Sequence, residues 1–141
     1  MKKQVLVTGA NKGIGYEIAR HLGKSGWQVV VGARCEDRAL KAMEALGTFY
    51  LTKLLLPLLE KNQGRICNIT VPSTFSPYWH PMAYVASKAG QNTMIATMGW
   101  EFDHFHVPVE AFTIHPGATS TDLNGHYDGP GSHQPDVIGQ K

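Results

Sequence analysis

Cysteine is scarce in this chain: Cys35 and Cys67 are the only two in 141 residues, and neither belongs to a CxxC pair. That excludes a disulfide-held scaffold and a cysteine-rich zinc site, and it fits reduced thiols in a cytosolic protein. An excess of one charge is lacking too. Thirteen Lys and Arg stand against eleven Asp and Glu, a formal net charge of +2. With no basic stripe to track a phosphate backbone, nucleic acid is not expected as a partner. Long apolar runs are missing as well. Met1-Lys2-Lys3 is basic like the start of a signal peptide, but the run Val5–Val7 ends in Thr8-Gly9 and no apolar h-region follows. Leu54–Leu59 is interrupted by Pro57 and flanked by Lys53, Glu60 and Lys61. It is too short to span a bilayer and reads as a buried helix face, so no membrane association is expected. His104, His106, His115, His126 and His133 follow no metal-ligand spacing, and no metal site is expected. Trp27, Trp79 and Trp100 are separate in sequence and read as packing residues rather than a stacking platform. There is no internal repeat.

What is present suffices for one core, since 43% of the residues are apolar. Gln4–Thr8 is a β-branched run stopped by glycine, and Tyr16–Leu22 carries apolar residues at helical spacing before Gly23 and Gly26. Trp27–Val31 is a second strand leading into Gly32-Ala33-Arg34, which predicts one βαβ unit with parallel strands. From Glu36 to about Asn62 the residues favour helix, either one long helix or two joined at Gly47, with a kink near Pro57. Gln63-Gly64 is a stop, and Arg65–Val71 reads as a third strand before a Pro- and Ser-containing loop through Pro81. Met82–Asp103 reads as helix and Val107–Ile114 as a fourth strand. From Gly117 onward no periodicity remains. The expected fold is α/β, a Rossmann-like three-layer sandwich with a reduced parallel sheet. Residues 1–123 form the expected dinucleotide-binding domain and 124–141 a loosely ordered tail.

Between the first strand and the first helix lies Thr8-Gly9-Ala10-Asn11-Lys12-Gly13-Ile14-Gly15. In such a turn Gly9 reverses the chain, Gly13 lets backbone approach a pyrophosphate, and Gly15 lets the helix pack close to the strand. Free N–H groups at the helix start, with the positive end of its dipole, then hold the anion. The turn from Gly9 through Asn11, Lys12, Gly13 and Ile14 to Gly15 is therefore a candidate phosphate site. About twenty residues further on, an acid would take a ribose 2′-hydroxyl and a base a 2′-phosphate. The sequence offers Arg34, which with Lys12 supplies two cations for the 2′-phosphate of NADP, while Glu36 and Asp37 leave NAD as an alternative. The competing reading is that both cations are solvated surface charges.

Tyr84 and Lys88 are four apart on the predicted Met82–Asp103 helix, so they share a face and can converge on one carbonyl. An ammonium beside a phenol favours the phenolate, which makes such a pair an acid/base arrangement. Alone, a YxxxK pair would read as ordinary helix surface. Here Tyr84-Val85-Ala86-Ser87-Lys88-Ala89-Gly90 follows the strand Arg65-Ile66-Cys67-Asn68-Ile69-Thr70, and His115-Pro116-Gly117-Ala118-Thr119-Ser120-Thr121-Asp122 follows the fourth strand. In this order TGxxxGxG, YxxxK and PGxxxT resemble the short-chain dehydrogenase/reductase family, over residues 4–34 and about 47–123. The resemblance implies hydride transfer between a nicotinamide cofactor and a small-molecule carbonyl or alcohol substrate. It implies Tyr84 as proton donor or acceptor, and Lys88 as electrostatic support and ligand of the nicotinamide ribose. Both thus belong to the cofactor site as well. Pro116, Gly117, Thr119 and Thr121 are implied at the nicotinamide end, the two threonines at its carboxamide. Tyr50–Leu59 and Val85–Met98 are similar to the family's dimer-forming helices, which implies a homo-oligomer.

Two departures stand out. The family's catalytic serine, thirteen positions before the tyrosine, is here Val71. Thr70 and Ser73 are the nearest hydroxyls; Thr70 is expected on the opposite side of the strand, and Ser73 in a loop that could bend inward. Near Leu46-Gly47 the first βαβ unit runs directly into Gly47-Thr48-Phe49-Tyr50-Leu51-Thr52-Lys53, which is similar to a later helix of the family. The family's third strand, its Asn-Asn-Ala-Gly strand, its relay asparagine and its closing C-terminal elements have no counterpart, so the remaining strands must re-pair, with the Arg65 strand beside the Gln4 strand as one arrangement, or expose edges that another chain could cover. The leading expectation is an NADP(H)-preferring carbonyl reductase or alcohol dehydrogenase. The alternatives are a catalytically silent nucleotide-binding or partner-binding relative, and an inactive truncated or engineered fragment.

Overall fold

Short β-branched runs organise the first part of the molecule, as seen in a computed structural model that describes residues 3–32, 44–72 and 82–140. β1 (Gln4–Thr8) and β2 (Gln28–Gly32) pair in parallel, with Gln4 opposite Gln28 and Thr8 opposite Gly32. A parallel pair needs a crossover, and α1 (Gly13–Lys24) supplies it. The helix ends where Gly26 takes a φ of 84°. There the Gly26 N–H donates to the Gly23 carbonyl and the Trp27 N–H to that of Leu22, each at 3.1 Å. This Schellman ending satisfies carbonyls that the helix leaves over. The Gln28 N–H then donates to the Lys3 carbonyl at 2.9 Å and starts the strand register.

The chain packs as two compact units, Met1–Glu36 with Pro116–Lys141, and Asp37–His115. Late residues complete the first. β5 (Ala118–Thr119) pairs in parallel with β6 (Ser132–His133), a 3₁₀ turn spans Asp122–Asn124, and α4 (Pro135–Gln140) packs against α1. The sequence predicts no regular element after Gly117. These short elements form because partners distant along the chain, α1 for α4 and β5 for β6, provide what local periodicity does not.

In the second unit α2 (Glu44–Lys61) leads to β3 (Arg65–Ile69), and α3 (Met82–His104) crosses to β4 (Glu110–Ile114). β3 and β4 are parallel, Arg65 opposite Glu110 and Ile69 opposite Ile114. The core is a cluster of Ile95, Met98, Phe102 and Val109, with Leu56, Leu59, Ile66 and Ala111 packed on it. Of the two forms expected, α2 takes the unbroken one through Gly47, and Pro57 lies inside it. One helical glycine costs only about 1 kcal/mol, and the packing of Leu56 and Leu59 supports the helix. Residues 36–43 of the expected helix lie outside the described residues. α2 and α3 repeat the Schellman ending with non-glycine residues in the left-handed region, Gln63 at φ 49° and His106 at φ 55°. Gly64 N–H donates to Leu59 and Val107 N–H to Phe102, both at 2.8 Å.

The β1–β2 and β3–β4 pairs both leave apolar side chains in water. Leu6 and its register partner Val30 are exposed on the β1–β2 pair. Phe112 and Ile114 are exposed on β4, in line with an ion pair between Arg65 and Glu110 at 2.7 Å. Among the described residues no helix is long and apolar enough to cross a membrane.

Candidate functional site

The glycine turn is built by close approach. Gly9 has a φ of 64° and Gly13 of 60°, a region that favours glycine. Ala10 is buried, and its N–H donates to the Gly32 carbonyl at 3.2 Å, which ties the turn to the end of β2. A Cβ added at Gly15 would stand 2.5 Å from the Gly9 carbonyl oxygen, so only glycine lets α1 start this close to the turn. Lys12 occupies the N-cap of α1, and no side chain among the described residues caps that helix start. The first backbone N–H groups of the helix and its dipole suit an anion there.

The later segment of the same unit reaches this turn. A Cβ at Gly13 would lie 3.5 Å from the Thr121 methyl group. Thr119 and Ser120 are buried; the Thr119 hydroxyl donates to the Gly117 carbonyl at 3.3 Å, and the Ser120 N–H to the His133 carbonyl at 2.8 Å. Gly117 itself needs its positive φ of 79°. Thr121 and Asn124 form a capping box around the 3₁₀ turn. From that turn Asp122 extends one carboxylate oxygen to the Lys12 ammonium at 2.6 Å and the other to His126 Nε2 at 3.0 Å. The Lys12 hydrogen bond and charge, aided by His126, hold the Asp122 carboxyl below the ordinary carboxylate range.

In the second unit the first turns of α3 carry Tyr84 and Lys88. The Lys88 ammonium lies 5.8 Å from the Tyr84 ring centroid, a cation–π distance, and donates to Gln91 Oε1 at 3.1 Å. Gln91 is buried, which fixes the acceptor. The Ser87 hydroxyl donates to the Tyr84 carbonyl at 2.8 Å, and the Asn92 amide to the Val71 carbonyl at 2.9 Å. Asn92 thus anchors α3 to the segment just beyond β3. Thr70 is buried; its N–H donates to the Ile114 carbonyl at 3.0 Å and its hydroxyl contacts the Val71 carbonyl at 3.5 Å.

Of the residues singled out from sequence, Gly9, Asn11, Lys12, Gly13, Ile14, Gly15, Pro116, Gly117, Thr119 and Thr121 fall in the first unit, and Tyr84 and Lys88 in the second. Arg34 and Ser73 lie outside the described residues. Sequence reasoning missed Asp122, His126, Gln91 and Asn92. Asp122 had one legible signal, its place directly after Thr121 in a T-x-x-N capping pattern. Among the described residues no group of three or more His, Cys, Asp or Glu is arranged to hold a metal ion.

Known proteins resemble the chain in sequence and in fold. The rat (Rattus norvegicus) estradiol 17-beta-dehydrogenase 2 is 24% identical over 195 aligned residues, covering 90% of this chain and 51% of that protein. The chain thus spans about half the length of this relative. Those 195 positions exceed the 141 residues of the chain, so at least 54 positions within the aligned span have no residue here. That agrees with a missing interior segment. A carbonyl reductase from chicken fatty liver, solved with NADPH bound, matches 97% of this chain and 84% of its own at TM-score 0.77 and 18% identity. A Brucella ovis oxidoreductase of the short chain dehydrogenase/reductase family, in complex with a partially ordered NAD, matches 99% of this chain and 91% of its own at TM-score 0.73 and 16% identity. The α/β Rossmann-type fold is therefore that of these enzymes. The family model for short chain dehydrogenase matches residues 3–48 and, in a second stretch, 42–129. With both stretches carrying the motifs located above, this chain belongs to the short-chain dehydrogenase family.

Proposed function

We propose that the chain is an NADP(H)-preferring oxidoreductase, reducing a small carbonyl compound or oxidising the corresponding alcohol, in the cytosol and as a homo-oligomer. The observation that carries this reading is the turn at the start of α1. Gly9 and Gly13 are left-handed, Gly15 admits no side chain, and Lys12 stands at the lip of an uncapped helix start. These features fit a dinucleotide pyrophosphate, and the NADPH and NAD held by the chicken and Brucella proteins support that class of ligand. When bound, the nicotinamide supplies or accepts the hydride.

The chain's own residues do the rest. Lys12, with Arg34, neutralises a ribose 2′-phosphate, while Thr119 and Thr121 border the nicotinamide end. Tyr84 exchanges a proton with the substrate oxygen through its hydroxyl. Lys88 favours the phenolate side of that exchange by its charge and holds the ribose, and Gln91 limits where its ammonium can go. Val71 offers no donor where the serine would polarise the carbonyl, and losing one such donor costs about a hundred- to a thousandfold in rate. Binding with weak or no turnover is accordingly the second reading, and Val71 favours it. The oligomer is supported by Tyr50, Leu54 and Leu58, an exposed apolar stripe at four-residue spacing along α2.

Titration of the folded protein with NADPH and NADH, followed by energy transfer from its tryptophans, tests the reading. NADPH is expected to bind more tightly, and Tyr84→Phe to cut turnover far more than it weakens binding. Val71→Ser raises carbonyl reduction if the remaining site is competent and leaves it at zero if the chain only binds. Folded protein that binds neither dinucleotide overturns the proposal.

A further inference from the structure

We propose that Asp122 is a specificity-determining residue of the dinucleotide site, an internal anion that occupies Lys12 and that a ribose 2′-phosphate must displace. The inference rests on the dinucleotide reading above and adds to it the control of selectivity. Asp122 is presented by a fixed turn rather than by a wandering side chain. The Thr121 N–H donates to Asn124 Oδ1 at 3.0 Å, the Asn124 amide to the Thr119 carbonyl at 3.0 Å, and the His126 N–H to the Thr121 carbonyl at 2.9 Å. That turn delivers the carboxylate to Lys12 Nζ at 2.6 Å, at the mouth of the glycine turn, and His126 holds its second oxygen.

The strength of the contact suits a competitor. Lys12 and Asp122 keep 65% and 53% of their side-chain surface exposed, so the pair is solvated and weak. A phosphate monoester carries up to two charges and three acceptor oxygens, which outcompete one carboxylate for an ammonium. The carboxylate stays tethered beside the incoming phosphate after displacement and repels it. A dinucleotide without the 2′-phosphate makes no claim on Lys12 and meets neither penalty. Asp122 therefore narrows the preference that Lys12 and Arg34 would otherwise give.

The test compares NADPH and NADH affinities in the wild type, Asp122→Asn, Lys12→Gln and the double variant, each first shown to be folded by circular dichroism. Asp122→Asn is expected to raise the preference for NADPH by about two- to fivefold, the scale of an exposed ion pair. The rise should shrink at high salt and vanish when Lys12 is already Gln. A preference that is unchanged or lower in Asp122→Asn, or an equal rise without Lys12, overturns the role of Asp122 while wild-type binding keeps the dinucleotide reading standing. NADPH binding confined to Asp122→Asn supports both. Binding of neither dinucleotide by any folded variant overturns both.

Discussion

Gly15→Ala is the sharpest test of how the glycine turn is built. The new Cβ would lie 2.5 Å from the Gly9 carbonyl oxygen, 3.0 Å from the Gly9 carbonyl carbon and 3.3 Å from Ala10 Cα. All three are backbone atoms, so no side chain can swing aside, and α1 or the turn must move by several tenths of an ångström. Forcing a methyl group into packed structure costs about 1–3 kcal/mol. Alanine returns at most about 1 kcal/mol of helix propensity, and less in a first turn. The net expectation is a loss of about 1–2 kcal/mol, or roughly 3–8 °C in melting temperature for a chain of this size. Gly90→Ala is the matching control, because it sits inside α3 with no atom of the described residues within 4 Å of its added Cβ. It should gain about 0.5–1 kcal/mol. Melts followed by circular dichroism separate the two, and weakened NADPH binding should accompany the first only. If Gly15→Ala melts at or above the wild type, the close-approach reasoning is refuted.

Three further outcomes follow from the packing and the charges. Ile95→Ala hollows the centre of the second unit, where Ile95 is 1% exposed, and should cost about 3–4 kcal/mol in urea unfolding, against about 1 kcal/mol for Ile95→Val. His106→Gly relieves a left-handed residue at the end of α3 and should raise the melting temperature, the relief of about 1–2 kcal/mol exceeding glycine's entropic cost of about 0.5–1 kcal/mol. Because the Asp122 carboxyl is held below its ordinary range, its contact with Lys12 is complete above about pH 4 and is lost as the pH falls through the lowered folded-state value. Carboxyl chemical shifts recorded against pH should show this depressed midpoint, and Lys12→Gln should move it upward.

The elements readable in the sequence are those whose signals are local. Val29–Val31 and the glycines at 9, 13, 15 and 26 announce strand, turn and helix stop within a few residues, and the structure has β1, α1 and β2 there. Gln63-Gly64 likewise marks the end of α2. Gly47 left one helix or two open, because the packing that carries α2 through it lies further along, at Leu56 and Leu59. β5, β6 and α4 were hidden for the opposite reason, having too few residues to show a period. The candidate site divides in the same way. Tyr84 and Lys88 are neighbours on one helix turn, and their proximity was legible from spacing. Lys12 and Asp122 are 110 residues apart, and only the folded first unit brings them within 2.6 Å.

Leu6 with Val30, and Phe112 with Ile114, set rows of apolar side chains in water on parallel strand pairs, a kind of sheet ordinarily covered on both faces. Such rows meet whenever two molecules collide, and a formal net charge of +2 provides little long-range repulsion to keep them apart. The colloidal lifetime of a sample is then set by collision frequency and temperature more than by the melting point. Dilute, cold preparations should stay monodisperse longest, since apolar attraction weakens on cooling.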